Sequence, residues 1–194
     1  MRTDSPIRRS VVVLAVLAFV AALGVEPAAA ATETVTGTAT TSGGDNISTT
    51  DFTYTSSGVL GTGSIHNEFV LIFGQNPLRT EGTGMLTRSD GSTLTLDEFG
   101  TVDLSTFPYP VEIHLVITSG TGTLAGASGE IVLTGTSTGP GGVGEPFSMT
   151  GTITIPSPVP TDRTMCLNGG WRDVADQQGN PFPNLGRCVA FVSR

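Results

Sequence analysis

From Thr32 onward, apolar and polar residues alternate, and no segment keeps the spacing of an amphipathic helix. Residues 111–117 and 147–155 show this most clearly, because apolar side chains fall on one face of an extended chain and mostly polar ones on the other. The apolar faces are Val111, Ile113, Leu115 and Ile117 in the first run, and Phe147, Met149, Ile153 and Ile155 in the second. This alternation predicts an all-β protein.

Similar runs recur along the chain, so eight or nine short strands are expected. They lie at 33–40, 51–55, 58–65, 67–73, 82–88, 92–99 and 130–137. Strands this frequent, joined by short turns, favour a closed barrel or a sandwich. Closure would also remove the exposed edges that Thr-rich strands offer to neighbouring molecules.

Residues 1–31 have the composition of a secretory signal peptide. Three arginines among the first nine residues precede an uncharged apolar run, Val11–Leu23, and four alanines then supply the small residues of a cleavage site. The apolar run is short for a membrane span, and no later run reaches that length. The mature protein is therefore expected to be secreted and extracellular, with no membrane partner after removal of the signal.

The charge of the mature chain excludes a second class of partner. Removal of residues 1–31 takes away three arginines and two acidic residues, which leaves six arginines, no lysine and 15 acidic residues, a net charge of −9. A surface this acidic repels nucleic acid and anionic lipid. No nucleic-acid partner is expected.

The segment Gly120–Gly129, G-T-G-x-x-x-G-A-x-G, comes close to the spacing of a phosphate-binding loop. Such a loop needs a helix after it, whereas Glu130–Thr134 has the pattern of a strand, and the chain has no lysine for a P-loop. The sequence therefore predicts a turn and no nucleotide site. We expect Gly122, Gly126 and Gly129 to adopt a positive φ or to lie against close neighbours.

The same glycine segment carries a resemblance to a known group. Together with the Leu/Thr/Gly strand after it and G-T-I-x-x-P at Gly151–Pro156, it resembles the allene oxide cyclase and dirigent-like β-barrels, whose secreted bacterial members carry a similar glycine hairpin. The resemblance covers about residues 33–156 and is strongest from 111 to 156. It implies an eight-stranded antiparallel barrel with an apolar cavity, and it assigns no working residue to this chain.

A proline-rich stretch, P-S-P-V-P, interrupts the alternation and is typical of a stiff linker. We expect a barrel domain over 32–155, a linker over 156–162 and a small C-terminal module over 163–194. Both cysteines of the chain, Cys166 and Cys188, fall in this module and are expected to form one disulfide. By chain entropy such a bridge contributes about 3 kcal/mol.

The module carries C-x-N-G-G-W from Cys166 and F-x-N-x-G-x-C-V from Phe182, and resembles a module at the ends of secreted bacterial proteins. Trp171, Phe182, Val189 and Phe191 are expected to cluster around the disulfide. Alternatively, Trp171 offers a binding face to carbohydrate or cell wall.

Each of the two histidines stands two residues from a glutamate, in the pairs His66 with Glu68 and Glu112 with His114. Residues two apart share a face of a strand, so two such pairs on neighbouring strands would supply ligands for a divalent metal. Both pairs, however, alternate with apolar sets, Ile65/Phe69/Leu71/Phe73 and Val111/Ile113/Leu115/Ile117. We therefore expect the histidines to face water, with no metal and no cofactor bound.

Other catalytic patterns are weak. Asp97 and Glu98 are adjacent and are expected on opposite faces of a strand, whereas a glycosidase needs two carboxylates across its substrate. No G-x-S-x-G nucleophile motif occurs. Catalytic residues are left unassigned.

Three functions fit these observations. The first is a secreted, non-catalytic barrel that binds a small apolar ligand or acts at the cell exterior. The second is a cyclase-like or dirigent-like enzyme that shapes a hydrophobic substrate by confinement, which needs few ionisable groups. The third is a Thr-rich adhesive or structural protein of the envelope.

We expect the mature chain to begin near Ala31 or Thr32 and to be found in the culture medium, because the basic head, apolar run and alanine cluster stand in the order that signal peptidase requires. N-terminal sequencing of the secreted protein checks this. A chain that keeps Met1, or one found only in the cytosol, would contradict it.

Overall fold

A computed structural model describes residues 30–194. Eight antiparallel strands form one closed barrel in chain order, which confirms the predicted fold class. The strands are β1 (Ala31–Gly44), β2 (Thr49–Ser56), β3 (Thr62–Ile72), β4 (Leu78–Arg88), β5 (Thr93–Val102), β6 (Tyr109–Gly120), β7 (Ser128–Ser137) and β8 (Pro146–Ile155). Apart from its last two residues, the expected signal peptide lies outside the described residues.

The nine runs of the sequence correspond to eight strands. The runs at 58–65 and 67–73 belong mainly to the single strand β3, and residues Gly58–Leu60 form a 3-10 turn before it. In the sequence, His66 separates the two runs and the polar residue Asn67 begins the second. In the structure both residues pair with β4 without interruption, because the backbone ladder does not depend on the polarity of the side chains.

The apolar faces expected for β6 and β8 do point into the barrel. Leu115, Met149 and Ile153 are fully buried there, within one core to which all eight strands contribute. Pairing of β1 with β8, from Ala31 opposite Ile155 to Thr40 opposite Pro146, closes the sheet.

One end of the barrel is filled by its own turns. Leu60 in the turn before β3 and Leu124 in the turn between β6 and β7 (Gly122–Leu124) are both fully buried. The predicted backbone of the glycine hairpin is confirmed, with φ of +60° at Gly122, +74° at Gly126 and +135° at Gly129. We call this the closed end. The loops β1–β2, β3–β4, β5–β6 and β7–β8 surround the opposite, open end.

The C-terminal module consists of a kinked 3-10 segment, Arg163–Arg172, and one helix, α1 (Leu185–Val192), joined by the Cys166–Cys188 disulfide. A second buried cluster surrounds the bridge and, among the described residues, shares no member with the barrel core. Trp171 packs at its edge, and the Arg172 guanidinium lies 4.7 Å from the centre of the indole. Carbohydrate contact through this ring stays a prediction. Over residues 30–194, no helix has the length and apolar character needed to cross a membrane.

We expect reduction of the disulfide to unfold the module and leave the barrel folded, because the two buried clusters are separate. Cleavage within 156–162 should likewise leave 32–155 folded. Urea denaturation, followed by Trp171 fluorescence for the module and by far-UV circular dichroism for the barrel, measures the two parts separately. If reduction shifted both transitions equally, the boundary between barrel and module would be wrong.

Candidate functional site

The open end of the barrel leads into a cavity of about 170 Å³. Its wall is mainly apolar and includes Phe52, Phe69, Leu71, Leu78, Val111, Ile113 and Phe147. A dry cavity of about 150 Å³ in another protein accepts benzene. The volume here therefore suits one small ring or a short branched chain.

Two glycines of β4 lie against side chains of the neighbouring strand β3. Gly82 and Gly84 occupy inward-facing positions between the buried side chains of Thr80 and Leu86. A Cβ atom at Gly84 would overlap the carboxamide oxygen of Asn67 on the neighbouring strand. Glycine at position 84 is thus required for Asn67 to lie where it does.

Several polar side chains also line the cavity, and we call three of them, Asn67, Thr80 and Glu98, the polar cluster. Asn67 is 0% exposed and Glu98 is 4% exposed. Within residues 30–194, no hydrogen-bond partner is found for either carboxamide atom of Asn67, for the hydroxyl of Thr80 or for Oε2 of Glu98. An unpaired buried polar group costs about 1–3 kcal/mol, and native proteins contain few of them. These four atoms, with Oε2 of Glu145 as a fifth on the same lining, indicate a place for a polar ligand group.

Burial shifts the pKa of the Glu98 carboxyl group. Burial raises its pKa from 4.5 to about 7, while the nearby Thr80 hydroxyl, which makes no well-formed hydrogen bond to it, acts in the opposite direction. No basic side chain is found among the described residues that line the cavity. At neutral pH the carboxyl is therefore close to the midpoint of its titration, and it can donate a hydrogen bond as the acid or accept one as the carboxylate.

A second carboxyl, Glu145, lies at the mouth and is held by its loop. Its Oε1 accepts hydrogen bonds from the backbone N–H of Thr138 at 2.5 Å and from the Thr138 hydroxyl at 2.6 Å. Its backbone also exchanges hydrogen bonds with Thr41 on β1. These contacts tie the β7–β8 loop to β1, so Glu145 stabilises the mouth.

The loops around the mouth present large apolar side chains to solvent, which together form an apolar rim. Its members are Ile47, Phe73, Leu104, Phe107 and Val143, between 47% and 73% exposed. Each of the four loops contributes at least one. The alternation of β3 predicted an inward position for Phe73, and this was wrong, because β3 ends at Ile72 and Phe73 belongs to the loop.

The two histidine–glutamate pairs lie on the outer wall, as their strand phase predicted. They do not meet, because β4 and β5 separate β3 from β6. Nε2 of His66 is 3.6 Å from Oε1 of Glu68, and Nε2 of His114 is 3.0 Å from Oε1 of Glu112. Over residues 30–194, no group of three or more His, Cys, Asp or Glu side chains is arranged to hold a metal ion.

Each histidine has a closer carboxylate partner on a neighbouring strand. Nδ1 of His66 is 2.5 Å from Oδ1 of Asp51, and Nδ1 of His114 is 2.5 Å from Oε1 of Glu130. Hydrogen bonding to Asp51 raises the pKa of His66, and hydrogen bonding to Glu130 raises the pKa of His114. Each imidazole thus has a carboxylate near both of its nitrogens and links two neighbouring strands on the outer surface of the barrel.

Sequence reasoning placed Asp97 and Glu98 on opposite faces, and the structure agrees: Asp97 is exposed and Glu98 is buried. No role was predicted from the sequence for Glu98 or for Asn67. A signal was present, because Glu98 has the phase of the buried leucines of β5 and Asn67 has the phase of the inward apolar residues of β3. A polar residue within an inward apolar set is the pattern that marks this site.

We expect the two histidines to stabilise the fold at low pH only. Because both pKa values are raised in the folded state, the contribution is fully present below the ordinary histidine pKa of about 6.5 and disappears as the pH rises through the folded value. The free energy of unfolding of wild type should therefore exceed that of a His66→Ala/His114→Ala variant by more at pH 5.5 than at pH 9, as measured by urea denaturation. An equal difference at both pH values, or stoichiometric metal that the double variant loses, would contradict this interpretation.

Comparison with known proteins found no relative: no family model, no curated protein and no solved structure matches the chain.

Proposed function

We propose that the chain is an extracellular β-barrel that binds a small, mainly apolar molecule carrying one polar group. The observation that carries this proposal is the polar cluster, in which Asn67 and Glu98 have no hydrogen-bond partners among the described residues on a mainly apolar cavity. The apolar wall favours entry of an apolar body by about 25 cal/mol for each Å² removed from water. A polar group on the ligand would fill the hydrogen-bonding capacity of the cluster.

Two further features support the extracellular setting. Strand β1 begins at Ala31, where the expected signal peptide ends, so cleavage there leaves the barrel essentially complete. The Cys166–Cys188 bridge is of a kind that persists in oxidising compartments. An eight-stranded barrel with a cavity also agrees with the resemblance to the allene oxide cyclase and dirigent-like barrels, and on this proposal the chain is a secreted barrel of that kind.

A second candidate function is catalysis in the same cavity, and Glu98 is the observation that favours it. A carboxyl with a pKa of about 7 can take or give a proton at neutral pH, which is the property of a general acid or base. Confinement by the apolar wall would orient a hydrophobic substrate. The two functions differ in their product, because a binding protein retains its ligand unchanged and an enzyme releases a new molecule.

We expect a filled cavity to abolish binding while the barrel stays folded. Val111 lines the cavity, so Val111→Phe should weaken the binding of toluene, a neutral ring of suitable size, at least about tenfold, or about 1.4 kcal/mol. Val116→Phe makes the same change on the outer face of β6 and should leave binding unchanged. NMR titration measures the affinities, and thermal unfolding checks the fold.

Native mass spectrometry of protein purified from its own medium supplies the second measurement. A retained molecule supports binding, and its conversion to another product on incubation supports catalysis. The proposal fails if toluene does not bind, or if both phenylalanine variants weaken its binding equally.

A further inference from the structure

We infer that the polar group of the ligand is a protonated amine, and that the carboxylate of Glu98 is its counter-ion in the cavity. The inference rests on the proposed function and narrows its ligand class to small apolar amines. Three observations support this inference: the charges that line the cavity, the unpaired atoms of the polar cluster and the volume of the cavity.

The acidic and basic side chains that line the cavity are of one sign. Glu98 and Glu145 are acidic, and no basic side chain is among the described residues of the lining. Two loops of the mouth add Asp45 and Asp103. Asp45 accepts hydrogen bonds from the backbone N–H groups of three residues that follow it, at 2.7–2.9 Å, and these lower its pKa.

Hydrogen bonds from Ser105 and Asn76 likewise lower the pKa of Asp103. Both loop carboxylates are thus ionised at neutral pH. A cleft lined by one sign of charge raises the local concentration of the opposite ion. The mouth therefore attracts a cation and opposes an anionic ligand such as a carboxylate.

The polar cluster offers acceptors that match an ammonium group. Oε2 of Glu98, Oδ1 of Asn67 and Oγ1 of Thr80 are unpaired acceptors among the described residues, and a primary ammonium has three N–H donors. A ligand carbonyl could accept from the carboxamide N–H of Asn67, the Thr80 hydroxyl and the protonated form of Glu98, but it would leave Oδ1 of Asn67 without a donor. A buried carboxylate is costly when it is alone and is stabilised when a hydrogen-bonded cation pairs with it.

The size of the cavity limits the rest of the ligand. A volume of about 170 Å³ with an apolar wall accommodates one ring with a short arm. Benzylamine has this shape, with the ring suited to the apolar wall and the ammonium to the polar cluster. The apolar rim leaves room for a longer apolar substituent to extend outward.

Amine binding is coupled to ionisation of Glu98. The strands beside it present no titratable inward group at this level, since β4 presents Gly82 and β6 presents Leu115. The other ionisable side chains of the lining are Glu145 and Tyr109, both at the mouth. A primary amine stays protonated well above neutral pH. The affinity should therefore rise with pH through about 7, the pKa of free Glu98, and then level off.

Isothermal titration of the full mature chain with benzylamine, toluene and benzoate at pH 8 tests the inference. Wild type should bind benzylamine at least about tenfold more tightly than toluene, which corresponds to 1.4 kcal/mol, and should not bind benzoate measurably. Glu98→Gln keeps the shape of the side chain and should lose this preference while it still binds toluene. Asp97→Asn, the adjacent residue on the outer face, should keep the preference.

The outcomes separate this inference from the proposed function. If toluene binds and benzylamine binds no better, or if Glu98→Gln keeps the preference, the amine assignment is wrong while the binding function stands. If none of the three probes binds, the binding function itself fails. Should Glu98→Gln not fold, the pH profile of wild type decides, because a benzylamine affinity that is flat between pH 5.5 and 8 overturns the assignment.

Discussion

Pairing of the first strand with the last is the constraint on which the rest of this structure depends. Without contact between β1 and β8 the sheet would have two open edges and no defined interior. Once the sheet is closed, the two-residue period of each strand decides for every side chain whether it faces the inside or the solvent. The buried leucines, the surface histidine bridges and the inward position of Glu98 all follow from this geometry.

Inside the closed sheet, the two ends of the barrel are packed differently. Leu60 and Leu124 fill one end, so that side chains meet with little space between them. Towards the other end, the interior holds a cavity of about 170 Å³, and the polar cluster is part of its lining. Unpaired buried polar atoms destabilise a fold, and well-packed residues elsewhere offset this cost. Local departures from good packing of this type concentrate at functional sites.

Features that depend on local periodicity could be predicted from the sequence. The alternation in β6 and β8 continues through each strand, so the residues that face inward were predicted correctly. The apparent break in β3 was misleading because Asn67 is polar and yet faces inward, opposite a glycine that leaves room for it. Phe73 was misplaced because the alternation does not show where a strand ends.

The candidate site depends on register between strands, which the sequence does not state. Asp51 and Glu130 lie beside the histidines only because β2 pairs with β3 and β7 with β6 in particular alignments. Glu98 could be placed on the inward face of β5. That it borders a cavity depends on how the inward side chains of several strands pack together, and so required the three-dimensional structure.

The barrel domain begins and ends on the same side. Ala31 and Ile155 are paired neighbours at the closed end, so both connections to the rest of the chain leave from the side opposite the mouth. A tether, fusion partner or solid support attached through either terminus would therefore hold the barrel by its base while its cavity stays open to solution. The four loops of the open end can in turn be exchanged for others without interrupting either attachment.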